Sequence, residues 1–550
     1  MNFFKTLTFF LTLILYDVQI HGQTLGVTMN HFSASNGYTL FSQLGDTSTF
    51  LIDNCGNIVH NWEVNSRPGN SEYLLEDGSL LRCGKDEGNT DFVKGGYGGL
   101  IEKLDWEGNY LWEYQYSNDS LRQHHDIAPL PNGNVLVLAW EKKDSANAVN
   151  SGRDPNILID NELWPEHIVE IEPIYPNGGT IVWEWHIWDH LVQDFDNTKS
   201  NYGVINEHPE RMNINAHAGN GGKDWLHGNS IDYNESLDQI MISLRTLNEI
   251  IIIDHSTTTE EAKESIGGNS NKGGDILYRW GNPENYDSGT LQDQKLFGQH
   301  DAHWIKTGLS EEGKIQIFNN NNPGDFSSIV VINPPISGFN YNLVGGNSFL
   351  PDNYFWEYKS TPDTTFFSGR ISGSQMLPNN NTLICEGNSG HFFEINQNKE
   401  IVWEYVTPIN AGVPLEQDAS TSLNNSVFRC VKYSINYSAF NGKDLSAGYP
   451  IELNPSNDWC NEQLSLIEKS VNQSLKIYPN PAKHFLNVST KRKIKKITIA
   501  SILGKKIKES TSLNSTDFSI NLEGISIGPY VCIVTLIDGE KLALPFLKAD

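Results

Sequence analysis

Three widely separated phrases of this chain place histidine beside Asp or Asn: QHHDIAPL (Gln123–Leu130), LHGNSIDY (Leu226–Tyr233) and QHDAHWIK (Gln299–Lys306). Imidazole titrates near neutrality, and in its neutral form it is both a base and a nucleophile. His124 or His125, His227 and His300 are therefore candidates for one reactive cluster. Arg245, in MISLRTLNEI, adds a guanidinium fork that matches tetrahedral oxyanions such as sulfate or phosphate bidentately. Several imidazoles and one guanidinium at a common point make an anion site. Three histidines also suit zinc or copper, but such sites usually add a carboxylate or draw on short spacings, and these residues lie far apart in the chain.

A repeat can bring them together. An apolar strand, a turn carrying Gly or Asn, and a strand closing on an aromatic-acid-aromatic triplet recur in LIEKLDWEGNYLWEY (Leu100–Tyr114), IVEIEPIYPNGGTIVWEW (Ile168–Trp185) and FFEINQNKEIVWEY (Phe392–Tyr405). Looser copies run over Phe50–Val64, Ile250–Trp280 and Ser328–Tyr358. Each reads as a hairpin of alternating strands. A second hairpin precedes most of them: Leu74–Leu81, Leu130–Val137, Ile231–Ser243 and Leu377–Ile384. Two hairpins make a four-stranded blade, so the expected fold is all-β, a six-bladed β-propeller. The first copy lacks inner strands, and NSVFRCVKYS (Asn425–Ser434) is expected to supply them and close the ring.

Innermost strands line a propeller's channel, and the three histidine phrases open such strands. SGSQMLP (Ser372–Pro378) opens another without histidine. Histidines confined to a few blades point to function, whereas aromatic triplets present in every blade point to packing between blades. Adjacent strand residues face opposite sides. Which of His124 and His125 faces the channel is therefore open, and His303 is a rival to His300.

The remaining sequence bounds compartment and partners. MNFFKTLTFFLTLILY reads as a signal peptide over residues 1–22, followed by a propeller over 23–453, a polar connector over 454–473 and a small β-sandwich over 474–550. No later segment approaches the ~20 apolar residues of a membrane span. A net charge of −28 argues against nucleic acid and anionic membranes as partners. The six cysteines show no metal-ligand spacing, and sequence does not pair them. Cys385 and Cys430 are either a buried pair of thiols or a bridge. From Lys476 onward 12 Lys/Arg face 6 Asp/Glu, so the tail is basic where the rest is acidic.

The tail phrases YPNPAKHFLNV (Tyr478–Val488), ILGKKI (Ile502–Ile507), LEGISIGPYVCIV (Leu522–Val534) and FLK (Phe546–Lys548) resemble the C-terminal sorting domain of the Bacteroidetes type IX secretion system. That resemblance implies recognition by the type IX machinery and delivery outside the cell or to its surface. In the main domain, HHDI…LPNGN, DWLHGNSIDYNESLDQIMISLRTLNEIIIID (Asp224–Asp254) and GQHDAHW (Gly298–Trp304) resemble the bacterial arylsulfate sulfotransferase family.

The family resemblance implies ping-pong transfer of a sulfuryl group from a phenolic sulfate donor to a phenol acceptor, without a nucleotide donor or other cofactor. It assigns His300 as the nucleophile that becomes sulfohistidine. It assigns His227 and Arg245 to the sulfate oxygens, and His124 or His125 as the remaining channel histidine. Trp225 and Trp304 either stack on the aryl ring or pack in the core. Two other readings stand beside it. One is a non-catalytic extracellular propeller that binds an anionic or aromatic ligand. The other is a redox propeller with quinone or metal, although quinone propellers commonly carry adjacent cysteines and this chain has none.

Overall fold

The computed structural model describes residues 23–216, 222–344, 348–419, 425–455, 460, 475–501, 506–537 and 541–549. The expected leader and most of the expected connector lie outside the described residues. The repeats form six antiparallel four-stranded blades, each running from the axis outward. Blade 1 is Val431–Ser434, Gly37–Ser42, Ser48–Ile52 and Ile58–Glu63. Blade 2 is Pro68–Leu74, Leu80–Lys85, Gly99–Leu104 and Tyr110–Gln115. Blade 3 is Leu121–Pro129, Val135–Glu141, Glu166–Pro173 and Gly179–His186. Blade 4 is Gly228–Asn234, Gln239–Leu244, Glu249–Asp254 and Tyr278–Trp280. Blade 5 is His300–Trp304, Ile315–Asn322, Phe326–Ile332 and Trp356–Tyr358. Blade 6 is Gly373–Met376, Thr382–Glu386, His391–Ile395 and Ile401–Val406.

The ring is closed twice. Val431–Ser434 pairs with Gly37–Ser42, as the sequence led us to expect, although it supplies one inner strand rather than two. Gly26–Asn30 adds a fifth strand outside blade 6, against Ile401–Val406. Cys55 of blade 1 is disulfide-bonded to Cys460 of the connector, whereas Cys83, Cys385, Cys430 and Cys532 are buried free thiols. The tail is a curled antiparallel sheet around Leu486, Ile497, Ile520, Val534 and Phe546. Among the described residues no helix is long and apolar enough to cross a membrane.

The recurring aromatics explain why the repeats form a ring. Trp62, Trp112, Trp185, Trp280 and Trp403 are buried on the fourth strands of their blades, counted from the axis. Each donates its indole N–H to a backbone carbonyl of the next blade: Asp105, Gly178, Gly274, Pro351 and Asn54 respectively, at 2.6–2.9 Å. An indole filling the seam thus also satisfies a carbonyl that would otherwise be buried without a donor. Trp356 of blade 5 is only partly buried, and Lys399 Nζ sits 5.6 Å over its ring. We expect Trp185→Phe to lower unfolding free energy by about 1–3 kcal/mol through the orphaned Gly274 carbonyl. Trp356→Phe should stay within about 0.5 kcal/mol. Paired denaturant titrations check the difference.

Candidate active site

The inner strands that carry the histidines do not pair regularly. In blade 3, His124–Asp126 bulge between the Gln123–Ala139 and Ile127–Val137 pairs. In blade 5, Asp301 and Ala302 bulge between the His300–Phe318 and His303–Gln316 pairs. In blade 4 the shift falls between Gly228 and Ser230. His125 and Asp301 inside their bulges, and His227 just before the strand of blade 4, lie at φ of 53°, 53° and 52°. Such left-handed backbone is unfavourable for residues other than glycine and persists where the surroundings hold it.

The bulges bring the candidates together and separate the neighbouring pair. The His125 ring centroid lies 4.7 Å from that of His227 and 6.2 Å from Phe428. His124 turns back and stacks on Trp140 at 3.9 Å, fully buried, with its Nδ1 2.9 Å from His125 Nδ1. His125 is therefore the member of the pair that faces the cluster, and His124 lies behind it. Gly96 packs flat against the His125 ring: a Cβ there would meet Nε2 at 2.0 Å, and the φ of +83° also favours glycine.

His227 is oriented by Asp224, whose Oδ2 lies 2.6 Å from Nδ1. That contact leaves Nε2 to face the site. Arg245 is anchored by its own N–H to the His227 carbonyl at 3.1 Å. Its guanidinium makes no ion pair or hydrogen bond among the described residues, although the side chain is largely buried and its pKa is lowered chiefly by burial. A half-desolvated cation with no committed acceptor is a ready anion site.

The tautomer of His300 is set by Asn320. Asn320 Nδ2 donates to the carbonyls of Ser368 (2.7 Å) and Ile371 (2.9 Å), so its Oδ1 must face His300 Nδ1, at 2.8 Å. The Gly298 carbonyl lies 3.1 Å from the same nitrogen. With two acceptors around it, Nδ1 carries the proton and Nε2 keeps its lone pair. The Ile371 N–H donates to that lone pair at 3.1 Å. Burial, then the Arg245 charge, pushes the His300 pKa down to about 3. Burial, then His227, holds His125 well below the usual histidine range. Both rings are thus neutral at ordinary pH.

The rival residues lie elsewhere. His303 turns away, its Nδ1 2.9 Å from the Asp301 carbonyl. It lines a separate cavity of about 100 Å³ with Asp232, Trp304, Lys306 and Arg429. Trp225 and Trp304 are buried in the core. Four contributors escaped the sequence reading. Asp224 stands three residues before His227, Asn320 lies inside the polar run Asn319–Asn322, and Gly96 lies in a glycine-rich loop. Arg429, in the closing segment, bridges Asp126 and Asp301. The D-x-x-H spacing at Asp224 was the one signal that could have been read.

These buried imidazoles set the pH dependence of stability. His124, His125, His167 and His300 have lowered pKa values, all chiefly through burial. Below the unfolded value of 6.5 the unfolded chain takes protons that they refuse, so stability falls as pH falls. Against the effect of burial, carboxylates hold His255 and His391 up at about 9. Their contribution is complete below 6.5 and is lost as pH rises through about 9. Burial raises Glu72 and Glu452 to about 7, which offsets part of the acid-side loss. The melting temperature should therefore peak near pH 6.5 and decline on both sides.

Comparison with known proteins agrees with this geometry. A family model described as arylsulfotransferase (ASST) matches residues 23–429, and one described as a secretion system C-terminal sorting domain matches residues 476–542. No curated protein matches the chain. Among solved structures, a protein of unknown function from Bacteroides caccae is 11% identical, with 72% of this chain and 99% of that one covered and a TM-score of 0.39. A catalytically inactive virginiamycin B lyase from Staphylococcus aureus with quinupristin is 11% identical, with 71% and 90% covered and a TM-score of 0.32. Neither likeness carries a functional argument. With its six-bladed ring, its imidazole and guanidinium cluster and the match over residues 23–429, the chain belongs to the arylsulfotransferase family and ends in a type IX sorting domain.

Proposed function

We propose that the protein is an exported aryl-sulfate sulfotransferase working by ping-pong transfer through His300. The observation that carries this reading is the fixed tautomer of His300: a buried, neutral imidazole whose Nε2 lone pair shares a site with the uncommitted Arg245 guanidinium. In the first half-reaction the Nε2 lone pair attacks sulfur of a phenolic sulfate ester. The S–O bond breaks, its electron pair leaves on the phenolate, and an N–S bond forms. In the second, a phenol oxygen attacks sulfur, the N–S bond breaks, and the pair returns to Nε2. Sulfur stays in its oxidation state throughout, so no redox partner is needed.

Arg245 balances charge on the sulfuryl oxygens. His227, its Nδ1–H held by Asp224, has Nε2 free to take the acceptor's proton in the second half-reaction and pass it to water; the donor's phenolate leaves as the anion in the first and takes its proton from water. His125 completes the wall. The division proposed along the chain is a leader over residues 1–22, the enzyme over 23–453, a connector over 454–473 and an address over 474–550 that is dispensable for chemistry. Incubation of the protein with a chromogenic phenyl sulfate, with and without phenol, tests the proposal. Release of chromophore beyond one equivalent that requires phenol and yields its sulfate ester supports transfer. Binding of the ester without turnover would replace the enzyme with a ligand-binding propeller.

A further inference from the structure

One guanidinium sits beneath the histidine cluster and touches strands from both sides of the ring. Arg429, from the closing segment, places Nη2 2.5 Å from Asp126 Oδ2 and Nη1 3.0 Å from Asp301 Oδ1. Asp126 follows His125 in the chain, and Asp301 follows His300. The two carboxylates are almost wholly buried and reach other blades as well. Asp126 accepts from the Tyr73 hydroxyl of blade 2 at 2.7 Å and from Ile231 N–H of blade 4 at 3.3 Å. Asp301 accepts from Ser374 N–H of blade 6 at 2.8 Å. With Arg429 flanking blade 1, this one network draws on all six blades. Phe428, next in the chain, lies 5.0 Å under the guanidinium and 6.2 Å from the His125 ring.

We propose that Arg429 is a positioning residue for the reaction: by clamping Asp126 and Asp301 it fixes the spacing of His125 and His300 and balances the negative charge next to them. This role rests on the one proposed for His300. Its physical basis is the bulged inner strands. His125 and Asp301 occupy left-handed backbone, from which a strand relaxes towards regular pairing unless it is held. Slippage of one residue carries a side chain to the opposite face. Arg429 holds both bulges by the residues at their turning points, and its planar fork fixes the directions of the two carboxylates, which the rotatable donors of an ammonium do not.

The second half of the role is electrostatic. The charged and titratable groups facing His300 are Arg245, His227 and His125, with Asp224 behind His227. None of these balances Asp126 or Asp301; Arg429 does. Without it, two buried carboxylates stand next to the reactive imidazoles and favour their protonated, non-nucleophilic form.

The test compares full-length parent protein with Arg429→Met, Arg429→Lys and the charge-neutral triple variant Asp126→Asn/Asp301→Asn/Arg429→Met, using a chromogenic phenyl sulfate and phenol. Arg429→Met should lower kcat by about 10²-fold with KM changed less than about threefold, as expected of a misplaced nucleophile. Its acid limb of activity should move up by about one pH unit or more. The triple variant removes both carboxylates with the one cation, where the parent keeps one carboxylate uncompensated, so its limb should move below the parental position while kcat stays low. Arg429→Lys should keep the limb and lose kcat. A merely structural residue would scale activity without moving the limb.

An Arg429→Met protein with kcat within about threefold of parent, or with an unmoved limb, overturns the proposal. Should Arg429→Met fail to fold, the triple variant carries the kcat comparison and imidazole NMR titration of Arg429→Lys against the triple carries the charge comparison. Equal kcat to parent in the triple, or identical histidine titrations in those two, is then the overturning result. The NMR titration needs no turnover. A parent that neither transfers nor forms an adduct therefore sinks the sulfotransferase reading alone.

Discussion

His300→Asn is expected to abolish both halves of the reaction, lowering donor cleavage and acceptor sulfation by about 10⁴-fold or more. The size of the effect follows from the covalent step: without Nε2 there is no atom to carry the sulfuryl group between two phenols. Asn keeps a polar side chain beside Asn320, so melting temperature should change far less than activity. Mass spectrometry of parent protein quenched with donor alone should find the added sulfuryl group on the peptide containing Gln299–Trp304. A label on His227 or His125 would move the nucleophile to that residue. An active His300→Asn variant without any adduct would end the covalent mechanism for this protein.

Arg245→Leu is expected to slow transfer by about 10²–10³-fold while leaving an adduct detectable on longer incubation. The guanidinium makes no competing bond among the described residues, so its loss falls on the sulfuryl group and not on the fold. The change has a second signature with a definite sign. Burial first and Arg245 next hold the His300 pKa down at about 3. Removing the cation lets that pKa rise, so the variant should lose activity on acidification earlier than the parent. His227→Asn should slow transfer without this shift in the same degree, because the formal charge of Arg245 remains. Equal pH profiles for parent and Arg245→Leu would place Arg245 away from the imidazole.

The ring, its blade count and its closure between the ends were legible in the sequence because they rest on repetition. A Trp that must fill each seam recurs wherever there is a seam, and turn residues recur wherever there is a turn. The positions of His227, His300 and Arg245 were legible for the complementary reason: they depart from the repeat. Side-chain direction was not. Period-two alternation cannot say whether His124 or His125 points inward, because both sit in a three-residue bulge where that alternation is suspended. Asn320 and Arg429 were hidden for another reason. An amide in a run of four asparagines and an arginine just ahead of the closing strand acquire their roles from partners 20 and 303 residues away. The Cys55–Cys460 bond, spanning 405 residues, is of the same kind.

The double closure of the ring has a consequence for when the histidine cluster can assemble. Blade 1 begins at the front of the chain but receives its innermost strand from Val431–Ser434, and blade 6 receives its outermost strand from Gly26–Asn30. Neither terminal blade is complete until nearly the whole propeller sequence is available, while blades 2 to 5 draw their strands from continuous stretches. A chain emerging from its amino end can therefore assemble the middle of the ring early, yet it stays an open arc with solvent in its axis. The last piece to arrive brings both the missing strand and Arg429 to the centre. Folding that depends on such distant pairing is slow by its topology. The histidine cluster is thus finished only when the closing segment has joined the ring, and a chain that stops short of it carries no finished site.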